Sequence, residues 1–190
     1  MRCEKCGALL GETAAPVAVH CHKCDEHNYD RAYTIGVYEK GLAANILELK
    51  RTPTIPSRLR QVIRALTFPD ADVIIPAPLS KERRLERGFN QAELIAIEVS
   101  KATGIPVDAH SLERHLPTHV HRVGMDDKAR ELSVRNVFAV GRPKLIVGKK
   151  VLFVDDVFTS GATASGCAKV LKKAGAIEVN VFTLGRAVWR

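Results

Sequence analysis

Two adjacent carboxylates, Asp155 and Asp156, end the apolar run Val151–Val154, and Thr159, Ser160, Gly161, Ala162 and Thr163 follow closely. Four apolar residues in a row have the composition of a strand buried on both faces of a parallel sheet. Beyond Thr163, Ala164, Cys167, Ala168, Leu171 and Ala174 recur on one helical face, with Gly175 as the stop. A strand, a small-residue turn and a helix N-terminus expose several backbone N–H groups together, and the helix dipole adds partial positive charge. Such a turn suits a phosphate. The hydroxyls of Thr159, Ser160 and Thr163 add further donors. Acids just ahead of an anion site suit the hydroxyls of a sugar, or a Mg²⁺ ion held through water. Phosphate, diol and metal in a row describe a phosphorylated ribose. Strand alternation sends the two carboxylates to opposite faces, so a simply buried pair is not expected. The other reading is an ordinary strand-to-helix turn, with Thr163 as cap and solvated acids. The coincidence of apolar strand, paired acids, hydroxyl-rich glycine turn and helix in one register weighs against it. No Gly-Lys-Ser/Thr follows, so this is not a Walker loop.

A second group of residues carries metal chemistry. Cys3-x-x-Cys6 and Cys21-x-x-Cys24, fourteen residues apart, supply four thiolates for a tetrahedral zinc, each pair forming one knuckle. A segment of this size buries too little apolar surface to fold alone, so metal binding would supply its folding energy. Disulfides are the alternative, which a cytosolic compartment opposes. Residues 1–30 are therefore read as a zinc ribbon and 31–190 as the main domain. His20, His22 and His27 lie nearby, but four cysteines leave no ligand position for them; they read as surface residues or donors to partners. Cys167, on the apolar face of the last helix, reads as core and not as a nucleophile.

The 190 residues suffice for one medium α/β domain with a small appendage. No apolar run approaches the roughly 18–20 residues of a membrane span. The opening residues Met1–Cys6 lack the apolar core of a secretory signal, so a cytoplasmic protein without membrane insertion is expected. The net charge of +8 points to a polyanionic partner. Residues 1–30 carry three Lys/Arg against five Asp/Glu, so the basic excess belongs to the main domain. Between Lys50 and Gln91 there are nine Lys/Arg and four Asp/Glu. Lys50, Arg58, Arg60, Arg64, Lys81, Arg83 and Arg84 are the candidates there for contact with nucleic acid. The aromatic content of 5% is low for a protein that stacks single-stranded bases.

The remaining elements must place these residues. A strand is expected over Ala32–Val37, then an amphipathic helix carrying Leu42, Ile46, Leu47 and Leu49. Ser57 is expected to cap a second helix carrying Leu59, Val62, Ile63 and Leu66. A strand over Asp72–Pro76 leads into a basic loop, Pro78–Gln91. That loop holds Arg87, Gly88, Asn90 and Gln91 at the C-terminal edge of a parallel strand, where open α/β sheets bind ligands. Asn90 caps a helix with Leu94, Ile95, Ile97 and Val99 inside and Gly104 at its end. Strands are expected over Ile105–Val107, Val137–Val140 and Val179–Leu184. Residues 110–135 read as a long polar functional loop in which His115, His119 and His121 match no common metal spacing. Alternating helices and strands make a doubly wound parallel sheet with a metal-bound knob.

The segment Asp155–Thr163 resembles the 5-phosphoribosyl-1-pyrophosphate (PRPP) loop of type I phosphoribosyltransferases. Over nearly its whole length the chain resembles the ComF family of competence-associated phosphoribosyltransferase-like proteins. The likeness is carried by the paired CxxC ribbon, by Tyr38-Glu39-x-Gly41 with Lys50 downstream, and by Pro76-x-Pro78-Leu79 leading to Arg87-Gly88-Phe89-Asn90-Gln91-Ala92. Thr118 and Arg130 ahead of Asn136-Val-Phe, and the loop from Asp155 to Thr163, complete it. The chain departs from the family at His121 and Ser133, where glutamine and asparagine are usual, and at Phe158 and Ser160, where Val or Thr is commoner. The resemblance implies a type I phosphoribosyltransferase-like α/β fold, a parallel sheet flanked by helices, with a four-cysteine zinc ribbon at the N-terminus. It implies PRPP with Mg²⁺ at Asp155–Thr163, and pyrophosphate facing Arg87. It also implies a cytoplasmic role with single-stranded DNA in natural transformation, at or near the inner-membrane channel and its DNA-uptake proteins. An active phosphoribosyltransferase with a nitrogenous acceptor, or a PRPP-sensing regulator, is the alternative.

Overall fold

The computed structural model describes residues 3–8, 21, 24–115 and 137–187. His20, His22, Thr118, His119, His121, Arg130, Ser133, Asn136 and Trp189 lie outside them. Four strands, β1 (Arg31–Val37), β2 (Val73–Pro76), β5 (Lys150–Phe158) and β6 (Glu178–Arg186), form one parallel sheet in the order β1-β6-β5-β2. The helices are α1 (Lys40–Leu49), α2 (Ser57–Arg64), α3 (Lys81–Arg87), α4 (Gln91–Thr103) and α5 (Ala162–Lys173). A separate antiparallel hairpin pairs β3 (Leu112–Arg114) with β4 (Phe138–Val140). Among the described residues, no helix is long and apolar enough to cross a membrane.

Both faces of the sheet are covered, which is why β5 and β6 read as near-continuous apolar runs. On one face Ile74, Leu152, Val154, Phe182 and Leu184 pack against Ile46 and Leu49 of α1, Leu59 and Ile63 of α2, and Ile95 and Val99 of α4. On the other, Val73, Ile75, Val151, Phe153, Val179 and Val181 pack against Cys167, Ala168 and Leu171 of α5. Cys3, Cys6, Cys24 and Tyr29 belong to this second core. Between α2 and α4, buried Glu98 gathers Arg64 (3.2 Å), Lys101 (2.8 Å) and, at 3.8 Å, Arg60.

Three elements differ from the sequence expectation. The basic loop at 78–91 contains the helix α3, whose Ser80 side chain accepts from the Arg83 N–H and whose C-cap Gly88 takes φ +73°. None of its residues is buried and Leu85 is its one apolar residue, so no 3.6-residue apolar period marks it. The strand expected at Ile105–Val107 is reduced to one parallel bridge, Val107 to Ile74, since Pro106 has no N–H to continue a ladder. The strand at 137–140 joins the hairpin and not the main sheet. Ser57 is the first residue of α2 and its side chain makes no cap bond. Gly104 (φ +78°) and Asn90, which accepts from the Ala92 N–H, end and start α4 as expected.

Candidate functional site

Strand β5 runs two residues past the acids, so Asp155 and Asp156 lie within it and point to opposite faces. Asp156 is 7% exposed. The Lys50 Nζ, at the C-terminus of α1, lies 3.0 Å from its Oδ2, and the Gln91 Nε2, in the first turn of α4, donates to the same oxygen at 3.5 Å. Arg87 Nη1 donates in turn to Gln91 Oε1 at 3.1 Å. A relay from Arg87 through Gln91 to Asp156, closed by Lys50, therefore joins four elements, α3, α4, β5 and the end of α1. Asn90 stands behind it, buried, with its amide donating to the Ala77 carbonyl, and positions the start of α4.

Asp155 faces the other way. It lines a recess of about 20 Å³ with Thr159, Gly161, Thr163 and Thr183, room for one or two waters. A larger anion must therefore rest on the exposed turn above it. Burial, and next the neighbouring Asp156 charge, push the Asp155 carboxyl up to about 7. The turn is shaped by Gly161, whose φ of +82° sets the direction of α5. A Cβ there would lie 2.8 Å from both the Phe158 Cζ and the His27 Cε1, so backbone conformation and space both require glycine. The N–H groups of Ala162, Thr163 and Ala164 have no acceptor within the helix. Ser160 Oγ stands 3.3 Å from the Ala162 N–H, while Ser165 makes the first helical bond to Gly161. Thr159, Ser160 and Thr163 are exposed around these amides. Of the seven residues expected at the phosphoribose loop, Asp155, Thr159, Gly161 and Thr163 line the recess and Ser160 and Ala162 lie in the same turn, while Asp156 faces Lys50 and Gln91 on the other side of the strand.

The basic candidates divide. Lys50 belongs to the acidic pair. Arg60 and Arg64 face Glu98, and Arg84 is ion-paired with Glu93. Lys81 and Arg83 are exposed on α3 with no ion pair among the described residues, and Arg58 edges an apolar groove of about 270 Å³ between α1 and α2.

At the N-terminus the sulfurs of Cys3, Cys6, Cys21 and Cys24 all lie within 4.8 Å of one another. Neighbouring separations are 3.6 Å for Cys3–Cys24 and Cys6–Cys21, and 3.4 Å for Cys21–Cys24. A Zn–S bond of about 2.3 Å sets tetrahedron edges of about 3.8 Å, whereas a disulfide needs about 2.05 Å. The donor set fits a tetrahedral metal such as zinc, and all five described cysteines are free thiols. The backbone N–H of Cys21 donates to Cys3 Sγ at 3.2 Å, and Arg186 Nη2 to Cys6 Sγ at 3.4 Å, donors suited to metal-bound thiolates. Cys167 is wholly buried, and burial drives its thiol well up, which agrees with a core role.

Sequence reasoning left out Tyr29 and Arg186. Neither stands in a motif, and only the fold brings them to the turn. No protein-family model matches the chain. Competence protein F of Haemophilus influenzae is 31% identical over 200 residues, covering 97% of this chain and 84% of that one. This chain belongs to the ComF family of competence proteins. The DNA utilization protein YhgH of Escherichia coli K12 is 27% identical, over 98% of this chain and 84% of its own. Competence protein ComFC of Bacillus subtilis is 33% identical over 122 residues, 63% of this ComF-family chain and 47% of its own. Among solved structures, the Bacillus subtilis glutamine PRPP amidotransferase is 26% identical with a TM-score of 0.47, over 66% of this chain and 25% of that one. The purine phosphoribosyltransferase of Pyrococcus horikoshii is 16% identical with a TM-score of 0.39, over 82% and 91%. Both scores fall below 0.5, and nothing about the site rests on them.

Asp155 binds its proton more tightly in the folded protein than at its ordinary value of 3.8. The group therefore costs stability as pH rises towards and through about 7, and the cost is absent below the unfolded value. Asp155→Asn should raise the melting temperature at pH 8 by roughly 3–6 °C, from about 1–2 kcal/mol of relieved burial and repulsion. The gain should shrink steadily towards pH 4. A shift that is the same at both ends, measured by scanning calorimetry, contradicts the assignment.

Proposed function

We propose that this protein binds a phosphorylated ribose at the β5–α5 turn, with PRPP and Mg²⁺ as the ligand pair, and single-stranded DNA on its basic rim during DNA uptake. The observation that carries the first half is the meeting of Asp155 with Thr159, Gly161 and Thr163 at one recess, while Asp156 is held from behind by Lys50 and Gln91. The 5-phosphate would rest on the amides of Ala162–Ala164 and the hydroxyls of Thr159, Ser160 and Thr163. Asp155 and Asp156 would take the ribose hydroxyls and, through water, the Mg²⁺ ion. Arg87 and Lys50 would face the pyrophosphate, where positive charge offsets its phosphates. Gly88 lets the chain turn from α3 into the cap at Asn90. The four cysteines would hold zinc in a structural role.

The DNA half rests on three supports. Relatives over nearly the full chain are named for competence and for DNA utilization. The net charge is +8. Lys81 and Arg83 are exposed on a helix that buries none of its own residues. On this reading the protein acts in the cytoplasm, beside the DNA-uptake machinery at the inner membrane.

The ligand assignment is tested by titration calorimetry with PRPP and Mg²⁺. Asp155→Asn with Asp156→Asn should weaken binding roughly 100-fold, the loss of two charge-assisted hydrogen bonds at about 1.5 kcal/mol each. Zinc content and helicity should be retained. Unchanged affinity sinks the site.

For DNA, Lys81→Ala with Arg83→Ala should lower affinity for an oligothymidine. The slope of log K against log salt should fall by about 1.4, from roughly 0.7 per phosphate on a single strand. A wild-type affinity independent of salt would count against the rim.

A further inference from the structure

The metal knob does not hang beside the domain. Three contacts tie it to the β5–α5 turn. Arg186, in the last position of β6, donates to the Cys6 carbonyl and sulfur, and its guanidinium lies 4.7 Å from the centre of the Phe158 ring. That ring is one of the two groups that close on Gly161. His27, three residues after Cys24, is the other. Its Nδ1 lies 2.6 Å from the Tyr29 hydroxyl, Tyr29 meets Phe158 edge-on at 5.9 Å, and the His27 carbonyl accepts from Lys5 at 2.8 Å. Finally, both the backbone and side-chain amides of Asn28 donate to Ser165 Oγ, at 3.1 and 3.0 Å, in the first turn of α5. Four thiolates around a divalent ion leave a charge of about −2, which Arg186 and Lys5 are placed to offset.

We propose that the four-cysteine knob is a wall of the phosphate cradle, with Arg186 and His27 as positioning residues, so that metal retention and phosphoribose binding support each other. The knob segment is too small to hold its shape without metal. Its loss would remove the Arg186–Phe158 stack and the His27 edge from the one turn whose glycine conformation orients the phosphate amides. Coupling between two sites is reciprocal: whatever factor the metal contributes to ligand affinity, the ligand returns to metal affinity. Such factors ordinarily run from about 5- to 150-fold. The ligand half of this inference rests on the phosphoribose reading; the wall itself does not.

Two measurements on the full zinc-loaded chain decide it. The first follows hydrogen exchange at Phe158–Ser165 in wild type, Arg186→Gln and Arg186→Lys. Arg186→Gln, with zinc still bound, should speed exchange at this turn about tenfold while the β5 and β6 core amides stay unchanged. Arg186→Lys, which keeps the cation beside Cys6, should recover zinc retention against a chelator. Exchange at the turn that is indifferent to Arg186→Gln overturns the wall. The second measures zinc transfer to a chromogenic chelator with and without ribose 5-phosphate. Transfer about tenfold slower with the sugar phosphate bound is expected. An equal rate, with binding shown by titration, overturns the coupling. Absence of any ribose 5-phosphate binding refutes the phosphoribose reading and the ligand half with it, while the exchange arm still decides the wall.

Discussion

The C-terminal edge of this sheet depends on how two consecutive carboxylates are accommodated in one strand. Alternation makes it impossible for Asp155 and Asp156 to share a face, so each is handled by different neighbours. Asp156 is buried but compensated, with Lys50 at 3.0 Å and the Gln91 amide beside it. Asp155 lies against the turn with no ion pair among the described residues, and burial with the adjacent charge raises it to about 7. That division ties α1, α4 and β5 together behind the site, and leaves Asp155 as the acid with most to gain from a bound cation or a hydroxyl donor.

The second constraint is the turn itself. Gly161 occupies a left-handed conformation with two rings closing on it, one from β5 and one from the metal knob. The sheet order brings this about. β1 and β6 are parallel neighbours, with Arg31 beside Asn180 and Val37 beside Arg186, and the Ala32 N–H donates to the Lys5 carbonyl, so the cysteine knob lies against the sheet and Cys6, Arg186 and Phe158 meet although they are far apart in sequence. The four-cysteine cluster at the N-terminus and the β5–α5 turn thereby share one hydrophobic core.

Much of this was legible in the sequence. The apolar run of β5, the turn composition and the apolar face of α5 marked the strand–turn–helix, and the paired CxxC spacing marked the four sulfurs that cluster, because both are local patterns. Gly104 and Asn90 marked helix ends through cap chemistry that is likewise local. What escaped was set by tertiary contact. Lys50 reads as one more surface base until α1 delivers it to Asp156. Arg60 and Arg64 read as free charge until α4 presents Glu98. Helix α3 has no buried face and so no period, and the edge strand at Ile105–Val107 loses its ladder to Pro106. His27 was visible as a residue near the cysteines, but its role against Gly161 exists only where the knob meets the sheet.

The central claim is that the β5–α5 turn holds a sugar phosphate. Amide chemical-shift mapping of the ¹⁵N-labelled protein with ribose 5-phosphate tests it most directly. The account predicts saturable shifts concentrated on the amides of Thr159–Ala164, with the residues of α2 unmoved. Shifts absent from that turn, or confined to the basic rim, would contradict it.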